Sequence, residues 1–159
     1  MTMKTITYLK GDATNPQTEG NKIITHICND IGGWGKGFVL AISNRWKNPE
    51  NEYRKWFQNE ENFILGEIQI VQVEEDIFVC NMIGQHKTIT NSKGIPPIRY
   101  EAVEKCLEKL AEKALKLNAN VHMPRIGCGL AGGKWEEIEI IIERTLIKNN
   151  VEVYVYDFE

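Results

Sequence analysis

Residues 123–135 read Met-Pro-Arg-Ile-Gly-Cys-Gly-Leu-Ala-Gly-Gly-Lys-Trp and hold four of the chain's 13 glycines. They follow a short apolar run at 120–123 that reads as a strand, and they precede residues 136–148, whose apolar positions recur at helical spacing. A glycine-rich turn between a strand and a helix suits an anion. Without a Cβ in the way, backbone N–H groups can face a ligand, and the helix N-terminus adds partial positive charge. Taken alone, such a turn is equally a tight βα connection whose glycines serve packing. A second loop of the same kind changes the balance. Residues 28–37, Cys-Asn-Asp-Ile-Gly-Gly-Trp-Gly-Lys-Gly, follow the apolar run 23–28 and precede a helical pattern that starts at Phe38. Two such loops converge if their strands lie parallel in one sheet. They then meet at the carboxyl edge, where ligands of open α/β sheets collect, and can approach a diphosphate from both sides.

A length of 159 residues fits one domain spanning 1–159. A chain of that size buries about two-thirds of its unfolded surface in one core. The net charge of −3 argues against a broad basic surface, so sequence-specific nucleic-acid binding is not expected. It does not disfavour a small anion held by backbone dipoles. No signal-peptide pattern and no long apolar run is present, so the expected location is cytoplasmic, with no membrane partner. Cys28, Cys80, Cys106 and Cys128 form neither a Cys-x-x-Cys pair nor a zinc-site spacing, and reduced thiols are expected, with no metal and no cofactor. Cys128 lies inside a glycine loop, but no histidine is placed locally to activate it as a nucleophile.

Taken in order, residues 5–9 alternate and are β-branched, a strand signal, and 11–14 follow as a turn. Asp12 either caps that turn or accepts a hydrogen bond from a ligand amine. Residues 22–28 read as a buried strand. Phe38, Ile42 and Trp46 share one helical face, and Pro49 starts another helix that carries Tyr53, Trp56 and Phe57, aromatics read as packing residues. The runs 68–73 and 77–83 form a hairpin about Glu74-Glu75-Asp76, read as a solvated turn. The irregular stretch 84–97 has the length of a binding loop or lid. A helix from Ile98 or Arg99 to about Leu117, a strand around Val121, a helix to about Asn149 and a strand over 151–156 complete the chain. This ββααββαβαβ order implies an α/β fold, three layers with a mixed central sheet between helices.

The chain resembles the macrodomains, the ADP-ribose-binding α/β/α fold. The resemblance covers nearly the whole sequence. It rests on Ile6 to Asp12, on His26-Ile27-Cys28-Asn29 with Trp34-Gly35-Lys36-Gly37, on Asn81-Met82-Ile83, on Met123 to Leu130 with Trp135, and on the Val-Tyr-Val-Tyr ending. Within the family it is most similar to the branch of terminal ADP-ribose protein glycohydrolases and ADP-ribose 1''-phosphate phosphatases. The resemblance implies that Asp12, beside Ala13, accepts from the adenine amino group. It implies that Ile126, Gly127, Cys128, Gly129, Leu130 and Ala131 hold the diphosphate, and that Asn29, Gly35, Lys36 and Gly37 line the distal ribose. Tyr156 would stack near adenine, or only pack on its strand.

The catalytic pattern of that branch is incomplete here. Its nucleophilic lysine position falls on Gln85, its assisting aspartate on Ala131, and the water-ordering aspartate of another macrodomain class on Val39. The remaining candidates are His26, Asp30 and Lys87, with Asn29 and His86 nearby. His26 stands where the phosphatases carry a histidine and could activate water, or it is a satisfied strand histidine. Asp30 orients water or caps its loop. Lys87 reaches a phosphate or a ribose Schiff base, or is an exposed loop lysine. Two functions follow from the resemblance. One is hydrolysis of an ADP-ribosylated macromolecule or of ADP-ribose 1''-phosphate to ADP-ribose. The alternative is a non-catalytic ADP-ribose reader. A Rossmann-type dinucleotide binder fits less well, because no G-x-G-x-x-G follows the first strand.

Overall fold

In the computed structural model, which describes residues 4–158, β1 (Thr7–Lys10) is an edge strand with all four residues exposed. It is shorter than the expected 5–9 at its start, because it has a partner on one side only. β2 (Asn21–Asn29) follows, then α1 (Phe38–Arg45), α2 (Asn48–Asn59), β3 (Ile68–Glu74), β4 (Ile77–Gln85), α3 (Tyr100–Leu117), β5 (Ala119–Pro124), α4 (Trp135–Ile142) and β6 (Val153–Asp157). The sheet runs β1-β6-β5-β2-β4-β3; only the β3–β4 hairpin is antiparallel, so the sheet is mixed.

β2 is buried along almost its whole length because both faces are covered. Alternation sends Ile23 and Ile24 to opposite sides. Ile23 joins Met82, Val121, Met123 and Val155 under α3 and α4, with Leu107, Leu110, Ile138 and Ile142 facing them. Ile24 joins Cys28, Trp34, Ile42, Tyr53 and Val79 under α1 and α2. Those two cores make the three layers.

Two local features differ from a plain reading of the sequence. The acidic turn is not merely solvated: Lys22, only 5% exposed, donates from Nζ to Asp76 Oδ2 at 2.8 Å and to the Gly20 carbonyl at 2.6 Å. The last helix ends as a π-helical turn, Glu143–Ile147, where the buried Thr145 hydroxyl bonds back to the Ile141 carbonyl at 2.7 Å. Among the described residues, no helix is long and apolar enough to cross a membrane.

Candidate functional site

The parallel strands deliver their carboxyl ends to one edge of the sheet, and a cleft runs along it. A first chamber of about 220 Å3 is walled by Asp12, Ala13, Ala41, Tyr156 and Phe158. A second, also about 220 Å3, takes Lys36, Gly37 and Val39 from the loop after β2 and the start of α1. The loop after β5 contributes Arg125, Ile126, Gly127, Gly129, Leu130 and Ala131 to the same chamber, and the strands contribute His26 and Gln85. Phe38 and Pro124 wall both chambers, so the two meet there. Phe38 was expected on the core face of its helix; standing at the junction, it is only half-buried.

The loop after β5 is folded on itself. Cys128 N–H donates to the Arg125 carbonyl at 3.3 Å, Gly132 N–H to Gly129 at 3.1 Å and Gly133 N–H to Gly127 at 2.6 Å. Gly127 has φ +74°, and a Cβ there would stand 2.5 Å from Ile98 Cδ1, so glycine is required twice over. With the loop closed in this way, the N–H groups of Gly127, Gly129, Leu130 and Ala131 have no protein acceptor among the described residues, and all four residues line the second chamber. Such a run is a cradle for an anion.

The loop after β2 is organised by Asn29. Its Oδ1 accepts from the N–H groups of Ile31 (3.0 Å) and Gly33 (2.9 Å) and from the Tyr53 hydroxyl (3.0 Å), while its Nδ2 donates to the Gly33 carbonyl at 3.0 Å. The Tyr53 hydroxyl also donates to the Asn29 carbonyl at 2.6 Å. Asn29 thus holds the loop through its Oδ1 and one Nδ2 hydrogen, and it is not among the residues that line the chamber. Gly35 and Cys128 also lie off the lining. The Cys128 thiol donates to the Ile126 carbonyl at 3.5 Å, and burial raises its pKa, which keeps it a thiol. Tyr53, read from the sequence as a packing residue, and Trp34 of the glycine loop are both supports. Trp34 is buried, donates to Ser43 Oγ at 2.8 Å and meets the His26 ring edge-on at 5.3 Å. The available signal was chemical: a buried tyrosine or tryptophan needs a partner for its polar end.

In the first chamber Asp12 does cap its turn: Oδ1 accepts from the Thr14 N–H at 2.8 Å and the Thr14 hydroxyl at 2.7 Å, and Arg45 stands 3.5 Å from Oδ2. Burial pushes its pKa up, but those bonds and Arg45 outweigh it and hold the carboxyl below its ordinary value. Oδ2 has the weaker contact and remains the oxygen available to a ligand. Tyr156 is buried on the chamber wall, its hydroxyl donating to His122 Nδ1 at 2.8 Å. The His122 ring stacks on Tyr154 at 4.9 Å.

The catalytic candidates separate. Asn81 Nδ2 donates to Pro49 and Gln69, which leaves its Oδ1 to accept from His26 Nε2 at 2.6 Å and fixes the proton on that nitrogen. Burial lowers the His26 pKa to about 4, against the Asn81 bond, so the ring is neutral and only weakly basic. Asp30 and Lys87 lie off the chamber lining: Asp30 binds His86 Nδ1 at 2.7 Å and the Lys87 N–H at 2.8 Å. Lys87 has φ +58° and its carbonyl accepts from Gln85 Nε2 at 2.8 Å; its side chain is exposed. Gln85 and Ala131, where the resemblance sets the branch's lysine and aspartate, and Val39, where it sets the aspartate of another macrodomain class, all line the second chamber.

The two neutral histidines make stability acid-sensitive. Burial lowers both His26 and His122 from 6.5 to about 4, with Lys22 adding to the effect at His122. Below the ordinary value the unfolded chain takes up protons that the native chain refuses. Stability is therefore full above about pH 6.5 and falls toward pH 4, each ring contributing a loss on the order of 3 kcal/mol. Urea unfolding between about pH 4.5 and 7.5 reads this slope, and His122→Gln should reduce it by about one proton. A flat profile in that window would refute the burial argument.

No family model matches the sequence. Among solved structures, a protein of unknown function from Bacteroides thetaiotaomicron is 58% identical with a TM-score of 0.96, the match covering 98% of this chain and 99% of that one. A macrodomain protein from Streptomyces coelicolor is 49% identical with a TM-score of 0.85, covering 97% and 99%. Among curated proteins, a chromodomain-helicase-DNA-binding protein 1-like from Mus musculus is 30% identical over 96% of this chain, which spans only 18% of that protein's length. An ADP-ribose 1''-phosphate phosphatase from Candida albicans is 27% identical, covering 87% and 92%. An ADP-ribose glycohydrolase from Bos taurus is 26% identical, covering 95% and 90%. Near-complete coverage by a macrodomain protein at that identity, over a chain whose two glycine loops wall one cleft, places this chain in the macrodomain family.

Proposed function

We propose that the chain binds ADP-ribose in this cleft and hydrolyses a bond at the 1'' position of the distal ribose, releasing ADP-ribose from an ADP-ribosylated macromolecule or from ADP-ribose 1''-phosphate. The observation that carries the reading is the set of unpartnered N–H groups of Gly127, Gly129, Leu130 and Ala131 across the chamber from the start of α1, a cradle for two phosphates. It lies one step from a chamber with a carboxylate and aromatic rings for an adenine, Asp12 with Tyr156 and Phe158. The distal ribose then falls towards His26 and Gln85. Catalysis rests first on holding the ribose and its attacking water in place and on fixed donors where charge develops. The phosphatase and glycohydrolase relatives support hydrolysis over simple capture.

A reader without chemistry is favoured by one specific observation: Gln85 and Ala131 place neither an amine nor a carboxylate in the second chamber. Calorimetry with ADP-ribose, AMP and NAD tests the cleft. ADP-ribose should bind tightest, and Asp12→Ala should weaken it by about 10–100-fold, the worth of a hydrogen bond to a charged acceptor. Turnover on ADP-ribosylated glutamate, ADP-ribosylated DNA and ADP-ribose 1''-phosphate separates enzyme from reader. Binding without turnover of any of the three would leave the reader.

A further inference from the structure

Asp30 and His86 are 56 residues apart in sequence and meet at the end of two neighbouring strands. Asn29 pairs in register with Gln85, so the residues that follow each strand emerge side by side. Gln85 lines the second chamber, and His86 is the next residue along the chain, at the same carboxyl edge of the sheet. Asp30 Oδ2 lies 2.7 Å from His86 Nδ1, and Asp30 Oδ1 accepts the Lys87 N–H at 2.8 Å. The Asp30 side chain is 16% exposed and the imidazole 45%. The backbone under the pair is tied as well: His86 N–H donates to the Pro97 carbonyl at 2.8 Å, and Arg99 N–H to Gly84 at 2.9 Å.

A carboxylate only accepts, so His86 Nδ1 carries a proton, and any lone pair the ring offers is at Nε2. Among the described residues no protein group engages that nitrogen. Both Asp30 oxygens are occupied, so Asp30 is not itself the base. His26 has the opposite arrangement, its Nε2 proton already donated to Asn81 inside the sheet.

We propose that His86 is the general base of the hydrolysis and that Asp30 is the positioning residue that sets its tautomer. This rests on the hydrolytic reading of the cleft. Nε2 takes a proton from water as the water oxygen bonds to C1'' of the distal ribose. The bond from C1'' to the linking oxygen breaks, and its electron pair leaves with that oxygen as a carboxylate or phosphate. The proton passes from His86 to solvent, and ADP-ribose carries the new 1''-hydroxyl. A base alone suffices because the leaving group departs as an anion, so the substrate class is a ribose ester of an oxyacid.

The test is steady-state turnover of a peptide ADP-ribosylated on glutamate, and of ADP-ribose 1''-phosphate, by wild type, His86→Gln and Asp30→Asn, with ADP-ribose calorimetry on each. In Asp30→Asn, the amide oxygen can keep the Lys87 N–H while the amide nitrogen donates to His86 Nδ1. The ring proton is then driven onto Nε2 and the base is lost with the loop still clasped. Both variants should lose kcat by roughly 100-fold or more, with KM and ADP-ribose affinity within about threefold of wild type. If Asp30→Asn or His86→Gln keeps kcat within about threefold while wild type turns over, the dyad is wrong and the hydrolase reading stands. If wild type binds ADP-ribose and turns over neither substrate, the hydrolase reading fails and takes the dyad with it.

Discussion

Gly129→Trp is expected to raise the Kd for ADP-ribose by at least about 100-fold, a loss of at least about 2.7 kcal/mol, and to leave folding intact. Gly129 lines the second chamber, and a Cβ built on it meets no atom within 4 Å. Its φ lies outside the left-handed region, so a side chain there costs no backbone strain. The space between the two loops, which Gly129 lines, is open to the indole. A chamber of about 220 Å3 with an indole in it does not hold a diphosphate as well. Calorimetry should report the lost affinity, and a melt should give a Tm within about 2 °C of wild type, the shift of well under 1 kcal/mol for a chain of this size. Binding within about threefold of wild type would mean that the nucleotide lies elsewhere.

Gly129 also shows where reading the sequence reaches its limit. The two glycine loops, the strands ahead of them and the helices behind them are legible because each signal is local: an apolar run, a cluster of glycines, a 3.6-residue period. The alternation at Ile23 and Ile24, which divides the two cores, is likewise fixed by the period of a strand. Which glycine serves the ligand and which serves the loop is not local. It depends on Ile98 pressing on Gly127 and on nothing pressing on Gly129. Asn29 has the same lesson. The resemblance sets it against the ribose, while a tyrosine 24 residues away and the turn at Gly33 engage its Oδ1. An asparagine ending a buried strand with glycines three and four residues on carries an Asx-turn signal, and that signal was available. The contact between Asp30 and His86 was not, because only strand register brings them together.

Gly133→Ala should have the opposite outcome to Gly129→Trp, damaging the fold as well as the site. A Cβ on Gly133 would lie 2.6 Å from the Gly127 carbonyl oxygen, 3.3 Å from its carbon and 2.7 Å from Ile98 Cδ1. The first two are main-chain atoms, and they cannot rotate aside as a side chain can. The same carbonyl accepts the Gly133 N–H at 2.6 Å, so relieving the clash breaks the bond that closes the loop. Overpacking costs about 1–3 kcal/mol and a lost hydrogen bond about 1 kcal/mol, together roughly 2–4 kcal/mol. For a domain of this size that is a fall in Tm of roughly 5–15 °C. Opening the loop also disperses the N–H groups of Gly127 to Ala131, so ADP-ribose affinity should fall by at least about tenfold. Adding Ile98→Ala separates the causes. It removes the side-chain part of the clash and leaves the carbonyl, so the double variant should recover little affinity. Full recovery would place the strain in the Ile98 side chain and acquit the main chain, and a single variant that melts like wild type would mean the loop is not closed by that carbonyl.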